Sequence, residues 1–293
     1  MIRLNGAAWL AAARLRTLPL ACSATLCGAW LAHQQDVFQL DIAVLATITA
    51  MALQVFSNFA NDYGDALHGA DRYREHAPQR MVATGKIAVS SMRWGLLVQA
   101  LVCCGLGLLL LSVAVIQTWG MWLVLGASAL IAAFTYTAGV KPYGYYGLGD
   151  VAVWLFFGGL GVAGSEALYS GQWQLRSLLP ASAVGCWCVM VLNLNNMRDR
   201  FSDQQAGKYT LAVRLGARWA RHYQAGLAII AWVCWLIWLP AQGQFRLWLA
   251  VVWVLTGVHL WQVYRVSQAA VFDRLLPQWS ICVLAMVLLL WWC

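Results

Sequence analysis

Long apolar runs alternate with short polar segments along most of the chain. Nine of these runs are long enough for a helix to cross the hydrocarbon core of a bilayer, which takes about 20 residues. They cover approximately residues 17–33, 40–60, 94–114, 119–138, 148–168, 179–197, 223–241, 246–264 and 275–292. In lipid, a lone segment satisfies its backbone hydrogen bonds only as a helix. The pattern therefore predicts an all-α polytopic membrane protein, a bundle of about nine transmembrane helices in one integral-membrane domain over residues 1–293.

The composition fits a chain whose main partner is the lipid bilayer. Hydrophobic residues make up 62% of the sequence and charged residues 10%, and the mean hydropathy is +0.66. A soluble domain carries about 25% charged residues. The low charge excludes an ordinary soluble enzyme.

The net charge of +8 is placed unevenly along the chain. All but two of the 19 Lys and Arg residues lie in the N-terminal tail or after the second, fourth, sixth and eighth runs; the exceptions are Arg176 and Arg246. By the positive-inside rule, this predicts an inner (cytoplasmic) membrane protein with its N-terminus in the cytoplasm and its C-terminus outside. Because the basic residues follow the membrane topology, we expect no nucleic-acid partner.

Two acidic stretches, Ser57–Asp71 and Asn193–Lys208, each close an apolar run on the predicted cytoplasmic side. In the first, polar side chains at i, i+4 and i+7 share one helix face. In the second, the same i, i+4 step continues to i+8. The side chains at these positions are Asn58, Asp62 and Asp65 in the first stretch and Asn195, Asp199 and Asp203 in the second.

These acidic stretches predict a site for divalent cations. A carboxylate at the end of a membrane span is costly unless it is paired, solvated or metal-bound. A single such Asp is more often a solvated cap, but two matching clusters favour a metal. Mg²⁺ prefers oxygen ligands and keeps substrate phosphates in its shell, which points to a diphosphate substrate. Four nearby basic residues could neutralise a leaving diphosphate or merely anchor the cytoplasmic face: Arg72, Arg80, Lys86 and Lys208.

The residues of both stretches carry a family resemblance. They read Asn58-x-x-Asn61-Asp62-Tyr63-x-Asp65-x-x-x-Gly69-x-Asp71 and Asn195-Asn196-x-x-Asp199-x-x-x-Asp203-x-x-x-Gly207-Lys208. This pair resembles the two Asp-rich motifs of the UbiA-type intramembrane prenyltransferases, whose nine spans also match. The segments Arg14-x-Arg16-Thr17-Leu18-Pro19 and Lys141-Pro142-Tyr143-Gly144 resemble those of the dihydroxynaphthoate polyprenyltransferases within that family. The resemblance runs from about residue 9 to 216.

The resemblance implies a Mg²⁺-dependent transferase that joins a polyprenyl group from a polyprenyl diphosphate to 1,4-dihydroxy-2-naphthoate. The ring would lose its carboxylate, giving the demethylmenaquinol of menaquinone biosynthesis. The metal ligands would be Asn58, Asp62, Asp65, Asn195, Asp199 and Asp203. The diphosphate would contact Asn58, Asn61, Asn195 and the nearby bases. Lys141 would dock the carboxylate of the acceptor and Tyr136 would line the same pocket, although Lys141 could equally be an interfacial anchor.

Other functions stay open at this point. The acceptor could be another aromatic acid such as 4-hydroxybenzoate, or the donor could be phytyl diphosphate. The two acidic stretches end runs that lie four spans apart, which suggests a weak internal repeat. From a different class, a cation-coupled transporter also carries intramembrane acids and an internal repeat. Against a transporter, the acids cluster at the cytoplasmic ends of the runs, away from the midplane. The sequence leaves open the length of the donor chain, the oligomeric state and whether the loop over residues 62–93 closes on the substrate.

Overall fold

The structure is a computed structural model that describes residues 6–73, 79–238 and 243–293, without the side chains of residues 72–73 and 243–244. The described residues form helices joined by turns and loops, and they contain no β-strand. The helices are α1 (Gly6–Ala13), α2 (Leu18–His33), α3 (Leu40–Leu67), α4 (Val89–Val113), α5 (Trp119–Thr135), α6 (Gly149–Val153), α7 (Ser165–Ser170), α8 (Leu178–Gln205), α9 (Leu211–Trp238), α10 (Gly243–Arg265) and α11 (Ala269–Leu290). A π-helical stretch, Trp154–Gly164, joins α6 to α7, so that Gly149–Ser170 forms one continuous span.

The predicted all-α membrane fold is confirmed, since a helix contains most of every predicted apolar run. Seven helical stretches among the described residues are long and apolar enough to cross a membrane. Of the remaining two predicted spans, α5 is apolar but shorter, and α9 is long but begins with a basic segment. Helix α9 is interrupted at Gly216, whose φ of 76° is a conformation that glycine adopts without strain.

Helix α8 lies at the centre of the bundle. In the apolar part of the span that contains α8, 78% of the residues are buried inside the protein. In the apolar part of α4 only 22% are buried, so α4 lies at the periphery. Close packing requires small residues here: a Cβ added to Gly158 would lie 2.4 Å from the carbonyl oxygen of Ala181. Glycine at position 158 therefore lets the fifth span touch α8 directly.

The ends of α3 and α8 that carry the two acidic stretches lie at the same end of the bundle. The Lys208 ammonium, just after α8, lies within 4 Å of carboxylates from both stretches. Helix α1 folds back against α3 at this end, where the Asn58 amide donates to the Ala13 carbonyl. The opposite end carries the buried carboxyl of Glu166, which accepts a hydrogen bond from Gln35. We call the end that carries the two acidic stretches the polar end of the bundle.

Candidate functional site

Helix α3 places the first acidic motif. Because α3 continues as a regular helix through Leu67, Asn58, Asp62 and Asp65 share one face, and all three are buried. The two oxygens of Asp62 accept hydrogen bonds from the backbone N–H groups of Met81 (3.0 Å) and Val82 (3.1 Å). Asp62 therefore fastens the segment before α4 onto the end of α3.

Asp65 is the most heavily contacted carboxylate of this motif. Its Oδ2 accepts from Arg80 Nη2 at 3.0 Å, and its Oδ1 accepts from the Tyr145 hydroxyl at 3.1 Å. Arg80 also reaches Asp71, with 3.5 Å between Nε and Oδ1. Burial raises the pKa of the Tyr145 phenol, and the charge of Asp65 raises it further. The phenol therefore stays protonated at physiological pH and keeps donating to Asp65.

Lys208 lies between the two acidic motifs. Its Nζ is 3.8 Å from Asp65 Oδ1 and 3.6 Å from Asp203 Oδ1, and the side chain is only 6% exposed. The backbone N–H of Lys208 donates to the Asp203 carbonyl at 2.8 Å, which holds it against the end of α8. One cation thus joins the carboxylates of Asp65 and Asp203, which are 138 residues apart in sequence.

Arg198 organises the second motif on α8. Its guanidinium binds both oxygens of Asp199, at 2.7 and 2.8 Å, and donates to Asn195 Oδ1 at 2.7 Å. It also donates to Asp273 Oδ1 on α11 at 2.6 Å, and Arg16 donates to the same oxygen at 2.9 Å. The second motif is therefore tied to the N-terminal segment and to the last helix.

A cavity of about 620 Å³ opens from the polar end into the apolar part of the bundle. At the polar end it is lined by charged and polar side chains, including Asp65, Arg80 and Lys208. Farther in, the lining is apolar and comes from α3, α4, α5 and the span Gly149–Ser170. The apolar lining includes Leu53, Gly107, Leu111, Trp122, Gly126, Ala129, Phe156, Leu160 and Leu168. A site with this shape suits a ligand with a charged head and a long apolar tail.

Four other predicted residues also line the cavity, and Asn58 on α3 is one of them. Tyr136 packs so tightly against Gly144 and Gly149 that a Cβ on either glycine would lie within 2.8 Å of its ring. Asn61 accepts a hydrogen bond from Thr137 at 3.1 Å, and Asn195 lines the cavity from α8. These contacts place the connection after α5 over the end of α3.

The structure does not bring every predicted site residue to the cavity: Asp62, Asp199 and Asp203 are buried at the polar end but do not line it. Lys141 and Lys86 are exposed and do not line it; Lys86 lies 3.5 Å from the Gln79 side-chain oxygen. The side chain of Arg72 lies outside the described residues. The roles predicted for these three bases stay predictions.

The oxygen donors of the two motifs fit Mg²⁺, because carboxylate and amide oxygens are the ligands it prefers. Among the residues that the structure describes, no three His, Cys, Asp or Glu side chains gather closely enough to hold a metal ion by themselves. The carboxylates are paired instead with Arg80, Arg198 and Lys208. A magnesium ion here would take part of its shell from water or phosphate oxygens, as it commonly does.

Sequence reasoning missed Tyr145, Arg198 and Asp273 as parts of this site. Tyr145 and Asp273 reach their partners across 80 and 75 residues, so the local sequence gave no spacing signal. Asp273 did carry one signal, because it is the only Asp or Glu after Asp203. An isolated acid in an otherwise apolar and basic region is expected to have a specific partner.

Comparison with known proteins finds a matching family and a similar sequence. The family described as the UbiA prenyltransferase family matches residues 21–274. The 1,4-dihydroxy-2-naphthoate octaprenyltransferase of Escherichia coli (strain K12) is 44% identical over 229 residues, covering 78% of this chain and 74% of that protein.

Solved structures share the fold at low identity. The apo structure of a UbiA homolog from Aeropyrum pernix K1 matches with a TM-score of 0.72 and 16% identity, over 94% of this chain and 98% of that chain. A UbiA homolog from Archaeoglobus fulgidus bound to DMAPP and Mg²⁺ matches with a TM-score of 0.61 and 17% identity, over the same shares. These likenesses establish a common arrangement of helices.

Proposed function

The chain belongs to the UbiA prenyltransferase family, and from that premise we propose that it transfers a polyprenyl group from a polyprenyl diphosphate to 1,4-dihydroxy-2-naphthoate. The bond between the prenyl carbon and the diphosphate oxygen breaks, a bond to a ring carbon forms, and the ring carboxylate leaves as CO₂. The product is a demethylmenaquinol, an intermediate of menaquinone biosynthesis. The name of the relative from Escherichia coli (strain K12) supports this choice of acceptor.

The observation that carries the proposal is the cavity with a charged mouth and an apolar interior. The diphosphate of the donor would lie at the polar end, where Arg80 and Lys208 line the cavity and supply positive charge. The prenyl tail would lie along the apolar lining, since transfer of hydrocarbon into apolar surroundings is favourable. Neither half of the cavity alone would suit this donor.

The two acidic motifs would hold Mg²⁺ through Asn58, Asp62 and Asp65 and through Asn195, Asp199 and Asp203. Bound there, the metal would stabilise the negative charge that develops on the departing diphosphate. The homolog from Archaeoglobus fulgidus is bound to DMAPP and Mg²⁺, which supports the choice of metal. Asp62 also holds the segment at Met81 and Val82 against the end of α3.

The acceptor would lie beside Tyr136, which lines the cavity next to the polar end. Its tight packing against Gly144 and Gly149 gives the ring a fixed face for an aromatic acceptor to pack on. Lys141 follows on the same connection but is exposed, so docking of the acceptor carboxylate by Lys141 would require its side chain to turn toward the cavity.

We place the protein in the inner (cytoplasmic) membrane, with the polar end and the N-terminus facing the cytoplasm and the C-terminus outside. The distribution of Lys and Arg supports this orientation. Reporter fusions at the two termini test it, and a cytoplasmic C-terminus would contradict it.

The central experiment measures product formation by the purified protein in detergent, with dihydroxynaphthoate, a polyprenyl diphosphate and Mg²⁺. We expect a prenylated, decarboxylated product from the wild type, and its loss without Mg²⁺ and in Asp65→Asn and Asp199→Asn. The control is Asp41→Asn, an exposed carboxylate at the other end of α3, which should keep full activity.

Other outcomes separate the alternatives. Product from 4-hydroxybenzoate alone would keep the family chemistry and overturn the acceptor. Absence of product with every aromatic acceptor, from folded protein, would contradict the proposal. Vectorial cation flux in proteoliposomes without any diphosphate would then favour a transporter.

A further inference from the structure

Asp273 lies outside both acidic motifs in sequence, but its side chain contacts the second motif in the structure. It lies in the second turn of α11, and its side chain is 29% exposed. Its Oδ1 accepts hydrogen bonds from Arg198 at 2.6 Å and from Arg16 at 2.9 Å. One carboxylate thus balances two guanidinium groups, one of them buried beside the proposed metal ligands.

Arg198 connects Asp273 to those ligands. Its guanidinium is 2% exposed and donates to both oxygens of Asp199 and to Asn195 Oδ1. A buried guanidinium in such a fork-shaped pair is held in one orientation, since its hydrogen bonds are charge-assisted and directional. Arg198 therefore fixes the oxygens of Asn195 and Asp199, and Asp273 holds Arg198 from the other side.

The charge of Arg198 opposes a metal at Asp199. A guanidinium bound to a carboxylate competes with a divalent cation for the same oxygens and repels that cation at short range. Asp273 weakens both effects, because it shares the guanidinium and offsets its charge. Without this carboxylate, Arg198 would bind Asp199 more strongly and would present its full charge to the metal.

We propose that Asp273 is a positioning residue that acts through Arg198 to set the affinity of the second acidic motif for divalent cations. This inference rests on the proposed function in one respect, namely that Asn195 and Asp199 are metal ligands. It gives α11 a role at the site that neither acidic motif indicates. Asp273 touches neither substrate nor metal in this role.

The test measures binding of Mn²⁺ to the purified full-length protein in detergent, without substrate, from the loss of the free Mn²⁺ signal in electron paramagnetic resonance. In Asp273→Asn we expect the dissociation constant to rise by about 10-fold, the lower end of what changes around metal ligands produce. Asp273→Glu should recover most of the affinity. Asp41→Asn, the same change at an exposed carboxylate at the opposite end of α3, should bind like the wild type.

A double-mutant cycle tests whether Asp273 acts through Arg198. In an Arg198→Gln background, adding Asp273→Asn should change the affinity for Mn²⁺ by less than about 2-fold. Full persistence of the Asp273 effect there would overturn the proposal, and so would wild-type affinity in the folded single variant. Asp273→Asn protein that fails to fold, judged by its thermal transition, would also overturn it, because the ion pair would then serve the fold.

Activity of the wild type keeps this test separate from the proposed function. Mn²⁺ binding with the expected variant pattern, but no prenyl transfer, would refute the function and leave the positioning role intact. Prenyl transfer by the wild type, with unchanged Mn²⁺ affinity in Asp273→Asn, would do the reverse. Absence of any Mn²⁺ binding by the wild type would overturn the positioning role, whatever the activity.

Discussion

At the scale of single residues, Asp65 is the side chain around which the charges of the polar end are arranged. It accepts hydrogen bonds from Arg80 and Tyr145 and lies within 4 Å of the Lys208 ammonium. A buried carboxylate with several donors is held in a fixed orientation. Three partners, each from a different connection between helices, therefore fix the orientation of Asp65.

Tyr145→Phe removes one of these partners without changing the shape of the ring. We expect kcat/KM for the donor to fall by about 10-fold, or roughly 1.4 kcal/mol, slightly below the usual contribution of a hydrogen bond to a charged group because Arg80 remains. Steady-state kinetics at several Mg²⁺ concentrations measure it. Tyr146→Phe is the matched control, since that neighbouring ring is 54% exposed. Equal activity of both variants would show that Asp65 does not need the phenol.

Tyr143 provides a test by pH. Its hydroxyl donates to the Ala132 carbonyl at 2.9 Å, and burial raises the pKa of the phenol to about 12. The folded protein therefore prefers the protonated form, so this contribution to stability is complete below a pH of about 10 and is lost as the pH rises toward 12. Between these pH values, the midpoint temperature of thermal unfolding should fall less steeply with rising pH for Tyr143→Phe than for the wild type. Identical slopes would contradict the shifted pKa.

At the scale of elements, the contact between α3 and the connection after α5 orients the first motif. A Cβ on Gly64 would lie 2.5 Å from both the carbonyl carbon and the carbonyl oxygen of Thr137. The Thr137 hydroxyl in turn lies 3.2 Å from the Ala60 carbonyl and 3.1 Å from Asn61 Oδ1. Glycine at position 64 thus allows two backbones to meet directly beside the acidic side chains.

Gly64→Ala should separate these two elements. Because backbone atoms cannot yield as a flexible side chain can, we expect a loss of about 1–3 kcal/mol in stability and a larger relative loss of activity, since Asp62 and Asp65 flank the contact. Thermal unfolding and prenyl transfer measure the two effects. Gly105→Ala is the control, because an added Cβ there meets nothing within 4 Å. A Gly64→Ala protein as stable and active as the control would contradict the close contact.

The sequence predicted elements better than contacts, and the helices show why. Hydropathy located every apolar run, yet it placed the start of the seventh near residue 223, whereas α9 begins at Leu211. The additional turns carry Arg214, Arg218 and Arg221, so they are helical without being apolar. Helical turns made of polar and basic residues are not detected by a pattern of apolar positions.

The acidic helix faces could be predicted from the sequence, whereas the partners of the site residues could not. Spacing along one helix fixes which side chains share a face, so the two acidic motifs could be identified from the sequence. The bonds from Tyr145 to Asp65 and from Arg198 to Asp273 depend on how distant helices pack. The outward position of Lys141 likewise depends on the path of its connection.

At the scale of the whole molecule, the cavity joins the charged end of the bundle to its apolar interior. Helix α5 follows it from Trp122 to Tyr136, and 14 residues of helix span about 20 Å. The lining along this path includes small residues on α4 and α5, among them Gly107 and Gly126. These small residues leave the space in which a long prenyl tail would lie.

Gly126→Leu tests whether the tail uses this space. An added Cβ at Gly126 meets nothing within 4 Å, so a leucine there can enter the open volume without straining the helix backbone. We expect kcat/KM for a long polyprenyl diphosphate to fall by roughly 10-fold relative to that for geranyl diphosphate, because only the long chain reaches past the polar end. Competition between the two donors in one reaction measures this ratio directly.

Gly105→Leu is the matched control for this substitution. It lies on the neighbouring helix α4, also has free space around an added Cβ, and is not part of the cavity lining. The donor ratio of this variant should equal that of the wild type. A shift of the same size in both variants would mean that leucine acts through the bilayer or the stability of the bundle. An unchanged ratio in Gly126→Leu would mean that the tail leaves the bundle before it reaches α5, and that the deep cavity does not select the donor.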